Sequence, residues 1–90
     1  MSASSDLYQL AIDMDEFYWD FDTYDYWDTF DSREEGIETY YNSLLTGSIY
    51  EAYEDVRDKV ELLEADDSVY FRRQIVLGKN ILWKMEKYLG

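Results

Sequence analysis

The chain has 90 residues, with 21 acids against 8 bases for a net charge of −13, and it contains neither cysteine nor histidine. A single domain of this length hides roughly 60% of the surface its unfolded chain exposes, so a core is possible but small; 47% hydrophobic and 19% aromatic residues suffice to build it. Without Cys or His, disulfides, thiolate chemistry, the common zinc sites and the Ser-His or Cys-His catalytic arrangements are excluded.

The charge is unevenly spread. Residues 1–31 hold nine acids and no base, residues 32–67 eleven acids and three bases, and residues 68–90 one acid and five bases. The first two thirds therefore repel nucleic acid and anionic membrane and attract a basic partner over long range. The basic last segment is expected to offset the acidic helices within the molecule. The opening MSASS has neither a positive region nor an apolar run, and no stretch of 18 apolar residues follows. No signal peptide and no spanning helix are expected, and a cytoplasmic protein is the default.

Residues 1–5 read as a frayed end, with Ser4 or Ser5 as cap. From Asp6 the apolar residues Leu7, Leu10, Met14, Phe17 and Phe21 recur at three- and four-residue steps, which marks one face of a helix. Asp6, Asp13, Glu16 and Asp20 are expected on its solvated side. The stretch 13–31, DMDEFYWDFDTYDYWDTFD, interleaves seven Asp and one Glu with eight aromatics and has no base. Within it, residues 22–31 fit a short helix, with Tyr24, Trp27 and Phe30 three apart, or an extended turn, with Tyr24-Asp25-Tyr26 alternating.

Ser32-Arg-Glu-Glu35 is a capping box, so a helix starts there. Its buried face is expected to be Ile37, Tyr40 or Tyr41, and Leu44, and it stops at Thr46-Gly47, where glycine can turn left-handed. Ser48-Ile-Tyr-Glu51 is a second capping box. The stripe after it, Ile49, Tyr53, Val56, Val60 and Leu63, alternates steps of four and three as a heptad seam does. Glu64 to Asp67 interrupts the pattern, and Asp66, Asp67 or Ser68 is the expected cap of the last helix. That helix carries the stripe Phe71, Ile75, Gly78, Leu82, Met85 and Leu89, with Gly78 allowing close approach of another helix or ring. Arg72, Arg73, Lys79, Lys84 and Lys87 lie largely off it, and Trp83, on its flank, fits either core or surface, core being the commoner place for it. With no proline and short connections, the chain reads as one all-α domain over 1–90, a small antiparallel bundle of three to four helices.

Little in the chain suggests catalysis. Asp13-x-Asp15 and Asp20-x-Asp22 resemble fragments of metal-binding carboxylate motifs, but neither has the central glycine and twelfth-position Glu of a calcium loop. Paired carboxylates can hydrolyse glycosides, yet a helical domain this small has little material for a deep cleft. No glycine-rich phosphate loop is present. No enzyme activity, metal or cofactor is expected.

The acidic run has two readings. As a solvated helix face it would need no partner, which is the common case for charge runs. Its aromatics argue otherwise, because one helical stripe can bury only some of them. Phe17, Phe21 and Phe30 are assigned to the core, while Tyr and Trp left at a surface supply anchors at interfaces. The candidate partner-binding set is Asp13, Glu16, Trp19, Asp20, Asp22, Tyr24, Asp25, Tyr26, Trp27, Asp28 and Asp31. Its carboxylates would stand in for phosphates, and its rings would stack on guanidinium groups or fill base pockets.

In size, acidity, aromatic content and lack of Cys and of catalytic motifs, the chain resembles the small inhibitors that phages and mobile elements direct against host defence. Anti-CRISPR and anti-restriction proteins that imitate DNA are among them. Residues 15–26, DEFYWDFDTYDY, followed by Ser32-Arg-Glu-Glu35, are also similar to small acidic domains encoded on conjugative elements of Gram-positive bacteria. The resemblance implies a bacterial or phage setting, and a stoichiometric inhibitor that binds no nucleic acid itself but blocks the basic groove of a defence nuclease, a CRISPR effector foremost. Two alternatives share the composition. One is an immunity protein that neutralises a basic nuclease toxin; the other is an adaptor or homodimerisation module that uses the aromatic surface without competing with nucleic acid.

Overall fold

The computed structural model describes residues 3–19, 31–66 and 71–89. Within them the chain is all-α, with four helices and no strand: α1 (Ala3–Trp19), α2 (Arg33–Thr46), α3 (Ile49–Asp66) and α4 (Arg72–Leu89). Two compact units result, Met1–Gly47, in which α1 packs on α2, and Ser48–Gly90, in which α3 packs on α4.

In the first unit α1 begins at Ala3, so Ser4 and Ser5 fall inside its first turn rather than capping it. Alanine has the highest helical propensity of any residue, which favours the earlier start. The expected stripe is buried at Leu7, Leu10, Met14 and Phe17, together with Ala11. Phe21 and Phe30 lie outside the described residues. Burial extends well beyond the stripe, because Asp13 and Asp15 are buried too. Successive helical residues are turned by about 100°, so these two lie on either flank of Met14, and α1 is enclosed over more than half its circumference.

The α2 cap is half of what the sequence suggested. Ser32 is extended, and its hydroxyl accepts from the Glu35 amide at 3.2 Å. The return arm goes one residue further upstream: Glu35 Oε2 accepts from the Asp31 amide at 3.1 Å. Leu44 and Gly36 are buried, while Ile37, Tyr40 and Tyr41 are half-buried against the pair. The helix stops at Gly47 as expected, but not by a left-handed turn, since Gly47 is extended (φ −95°, ψ −167°). Glycine is needed there for room. Its amide donates to Ser43 O at 2.7 Å, and a Cβ would sit 2.7 Å from that same oxygen.

Two contacts make the pair antiparallel. Asp15, late in α1, meets Arg33 at the start of α2, and Tyr8, early in α1, meets Tyr41 near the end of α2 edge-on at 5.2 Å between centroids.

The second unit follows its heptad seam closely. Val56, Val60 and Leu63 are buried on α3, with Ile49 and Tyr53 half-buried at its start. The amides of Glu51 and Ala52, in the first turn of α3, donate to the Ser48 carbonyl. Each helix has 18 residues, about 27 Å at 1.5 Å per residue. The five residues between them, 67–71, reach at most about 20 Å. Packed along their length, α3 and α4 must therefore run antiparallel.

On α4 the stripe is displaced. The buried residues are Gln74, Gly78, Ile81 and Met85, whereas Phe71, Ile75, Leu82 and Leu89 are half-buried. Gly78 and Met85 belong to both stripes, so the seam is turned by a fraction of a helical step toward Gln74 and Ile81. Asp66 ends α3 and does not cap α4, which begins six residues later; Asp67 and Ser68 lie outside the described residues. Trp83 is not core. It is 59% exposed, with Lys87 Nζ 4.3 Å from its ring centroid.

Candidate partner-binding surface

The first unit holds twelve acids and a single base, Arg33. Where that base goes decides the charge of the surface. Arg33 stands on the first turn of α2 and reaches the middle of α1, where its Nε donates to Asp15 Oδ2 at 2.5 Å. The Asp15 side chain is 0% exposed, and its Oδ1 is buried with no hydrogen-bond partner. Burial pushes the Asp15 carboxyl above its ordinary value. The hydrogen bond and charge of Arg33 pull the other way without cancelling that push, and nearby Glu16 adds to it. The pair staples α2 to α1 and directs the unit's only cation onto an acid that solvent does not see.

The other carboxylates divide between interior and surface. Asp13 was expected on the solvated ridge and is instead buried, its Oδ1 accepting from Gln9 Nε2 at 3.2 Å. The enclosure of α1 on both flanks is the reason, and it removes Asp13 from any partner's reach. Glu16 and Trp19 are half-buried, and Asp31 is exposed. Asp20, Asp22, Tyr24, Asp25, Tyr26, Trp27 and Asp28 lie outside the described residues. The ridge drawn along α1 through Asp13 and Glu16 is thus not a free surface.

A different acidic surface is present on α2. Glu34, Glu35 and Glu38 are exposed, next to exposed Asp31. Carboxylates four apart on a helix, as Glu34 and Glu38 are, stand about 5–6 Å apart at Cβ. The sequence did hold the signal for this group. Once Ser32 sets the start of α2 and Ile37 and Leu44 its buried side, Glu35 and Glu38 fall on the outward side, with Glu34 at its margin.

Tyr18 meets Phe17 at 5.5 Å and Tyr40 at 5.4 Å between ring centroids, and Phe17 itself is fully buried. Among the described residues, no group of three acids is placed to hold a metal ion, and no helix is long and apolar enough to cross a membrane.

Comparison with family models, with curated proteins and with solved structures gives no match to this chain.

Proposed function

We propose that the Met1–Gly47 unit imitates a nucleic acid. In this reading the protein is a stoichiometric inhibitor that occupies the basic groove of a bacterial defence nuclease, with a CRISPR effector as the first target to test. One observation carries it: the unit's only cation is tied to buried Asp15, while Asp31, Glu34, Glu35 and Glu38 stand exposed. The net charge of −11 over Met1–Gly47 already counts Arg33, the one base in its sequence, which stays half-exposed beside Asp15. Such a field draws in Lys- and Arg-lined channels, and charged groups fixed on a helix cost little reorganisation on binding.

The test is competition. Purified protein is titrated into CRISPR effectors and restriction enzymes loaded with labelled DNA, at low salt and at about 0.5 M salt. Release of DNA at one inhibitor per enzyme, weakened by salt and by Glu34→Lys with Glu38→Lys, is the expected result. If no member of the panel loses its DNA at low salt, or if the charge-reversed variant competes as well as the parent, the proposal fails.

A further inference from the structure

Asp13 and Asp15 are both buried on α1, but they are held differently. Asp13 Oδ1 accepts from Gln9 Nε2 on the same helix. Asp15 depends on the other helix: its side chain is 0% exposed, Oδ2 accepts from Arg33 Nε, and Oδ1 is buried without a hydrogen-bond partner. The Arg33 side chain is 51% exposed, and among the described residues its one ion pair is with Asp15. Arg33 also opens α2, where the positive end of the helix dipole disfavours a cation. Within two residues of it in the chain stand Asp31 and Glu34, both exposed.

We propose that the Asp15–Arg33 contact is an acid-opened latch: a proton taken up from solvent by Asp15 frees Arg33 from α1 while the helix pair stays folded. The ionised carboxyl is the costly state. It keeps a charge out of water with one hydrogen bond made and one acceptor unfilled. The charged groups that bear on it are Arg33 from α2, which favours ionisation, and Glu16 on α1, which opposes it; burial outweighs Arg33, so Asp15 holds a proton more tightly than a free aspartate does. A proton on Asp15 removes the buried charge, and with it the charge assistance that makes such a hydrogen bond roughly twice as strong as a neutral one. Arg33 is already half in water and loses little by leaving, since solvent, Asp31 and Glu34 offer it other acceptors. The core residues of α1, among them Leu10, Met14 and Phe17, are uncharged and do not need the contact. The latch is therefore closed above the pH at which Asp15 titrates and open below it. The latch stands apart from the inhibitor reading, but its effect on a partner rests on it: once open, it sets an unpaired cation beside Asp31 and Glu34 and weakens capture of a basic groove.

The test is a series on the full chain from about pH 7 down to about pH 3. Nuclear magnetic resonance follows the Asp15 carboxyl carbon and the Arg33 Nε–H group, and circular dichroism follows helix content. Both signals are expected to move together, at one midpoint above 3.8 and with the helices intact. Asp15→Asn and Asp15→Leu carry no charge at this position. In them Arg33 Nε–H is expected to sit in its acid position at neutral pH and to exchange quickly with water. An Arg33 signal that stays put while Asp15 titrates overturns the proposal. So does a midpoint at or below 3.8, a loss of helix ahead of that midpoint, or folded variants that keep Arg33 Nε–H in the position it has in the neutral parent. Binding is read separately: at neutral pH Asp15→Leu is expected to displace DNA from a target nuclease about 2- to 5-fold less well than the parent. Equal displacement overturns the effect on capture. A panel in which neither protein displaces DNA overturns the inhibitor reading alone, and the resonance series still decides the latch.

Discussion

In Met1–Gly47 twelve acids meet one base and in Ser48–Gly90 nine acids meet seven bases; among the described residues, the first unit buries Asp13 and Asp15, whereas Gln74 is the only buried polar side chain of the second. Both units are antiparallel helix pairs of similar size. What differs is how each reconciles its charge with packing. The second unit keeps its ionised groups outside, where Lys79 pairs with Glu64 and Lys59 with Asp55. The first takes Asp15 into the interior and holds it with Arg33, the one base against twelve acids in its sequence. A buried carboxylate usually weakens a fold. Here it ties the unit's one base to an interior acid, with the Arg33 side chain itself half-exposed.

The contrast is tested most strongly in the two cores. Phe17→Ala is expected to destabilise the protein by about 3–5 kcal/mol and Ile81→Ala by about 2–5 kcal/mol in urea unfolding, both being fully buried. Native-state hydrogen exchange sharpens the comparison: protection is expected to fall first in the unit that carries the substitution. A uniform loss would mean that the two pairs open together.

Next in size is the pair that distinguishes the first unit. Arg33→Met deprives ionised Asp15 of its partner and is expected to cost about 1–3 kcal/mol at neutral pH. The cost should shrink in acid, because a protonated Asp15 no longer needs a cation. The same residue sets a pH dependence with a definite sign. Its folded pKa lies above the ordinary 3.8, so the native state holds the proton more tightly than the unfolded chain. Its contribution to stability is therefore fullest below about 3.8 and is lost as pH rises through the raised value. Asp15→Asn is expected to remove that slope from a series of melts taken across the acid range. A slope that survives in the variant would assign it to other carboxylates.

Smaller effects separate the two helix starts. Ser32→Ala removes the hydroxyl that accepts from the Glu35 amide and is expected to cost about 0.5–2 kcal/mol. At Ser48 the recorded bonds use the backbone carbonyl, so Ser48→Ala is expected to stay within about 0.5 kcal/mol. Smallest of all, Glu64→Gln breaks an exposed ion pair and should change stability by less than about 1 kcal/mol. Equal losses at the two serines would erase the distinction between these caps.

The sequence revealed much of the second unit and less of the first. The α3 seam was legible because Val56, Val60 and Leu63 are flanked by charged residues, which leaves one choice of face. On α4 the apolar residues run nearly all round the helix, including Ile75, Val76, Leu77, Leu82 and Trp83. Hydrophobicity therefore could not tell the stripe centred on Ile81 from its neighbour, and a polar Gln74 weighed against the correct one. The placement of Asp13 and Asp15 was not legible, since it depends on Arg33 reaching back from a residue 18 positions away and on the enclosure of both flanks of α1. The surface glutamates of α2 follow directly from its cap and its buried side. The denser aromatic-acidic run upstream masks that signal in the sequence.

Trp83 also gives the molecule a built-in optical probe. Tryptophan occurs at positions 19, 27 and 83, so phenylalanine at the first two leaves a chain whose indole fluorescence comes from Ser48–Gly90 alone. Being exposed beside Lys87, that indole should emit at long wavelength, and iodide, drawn by the ammonium group, should quench it readily. Occupation of the exposed side of α4 around Trp83 by any ligand would then appear as a blue shift with loss of iodide access, read in the same cuvette as the binding titration.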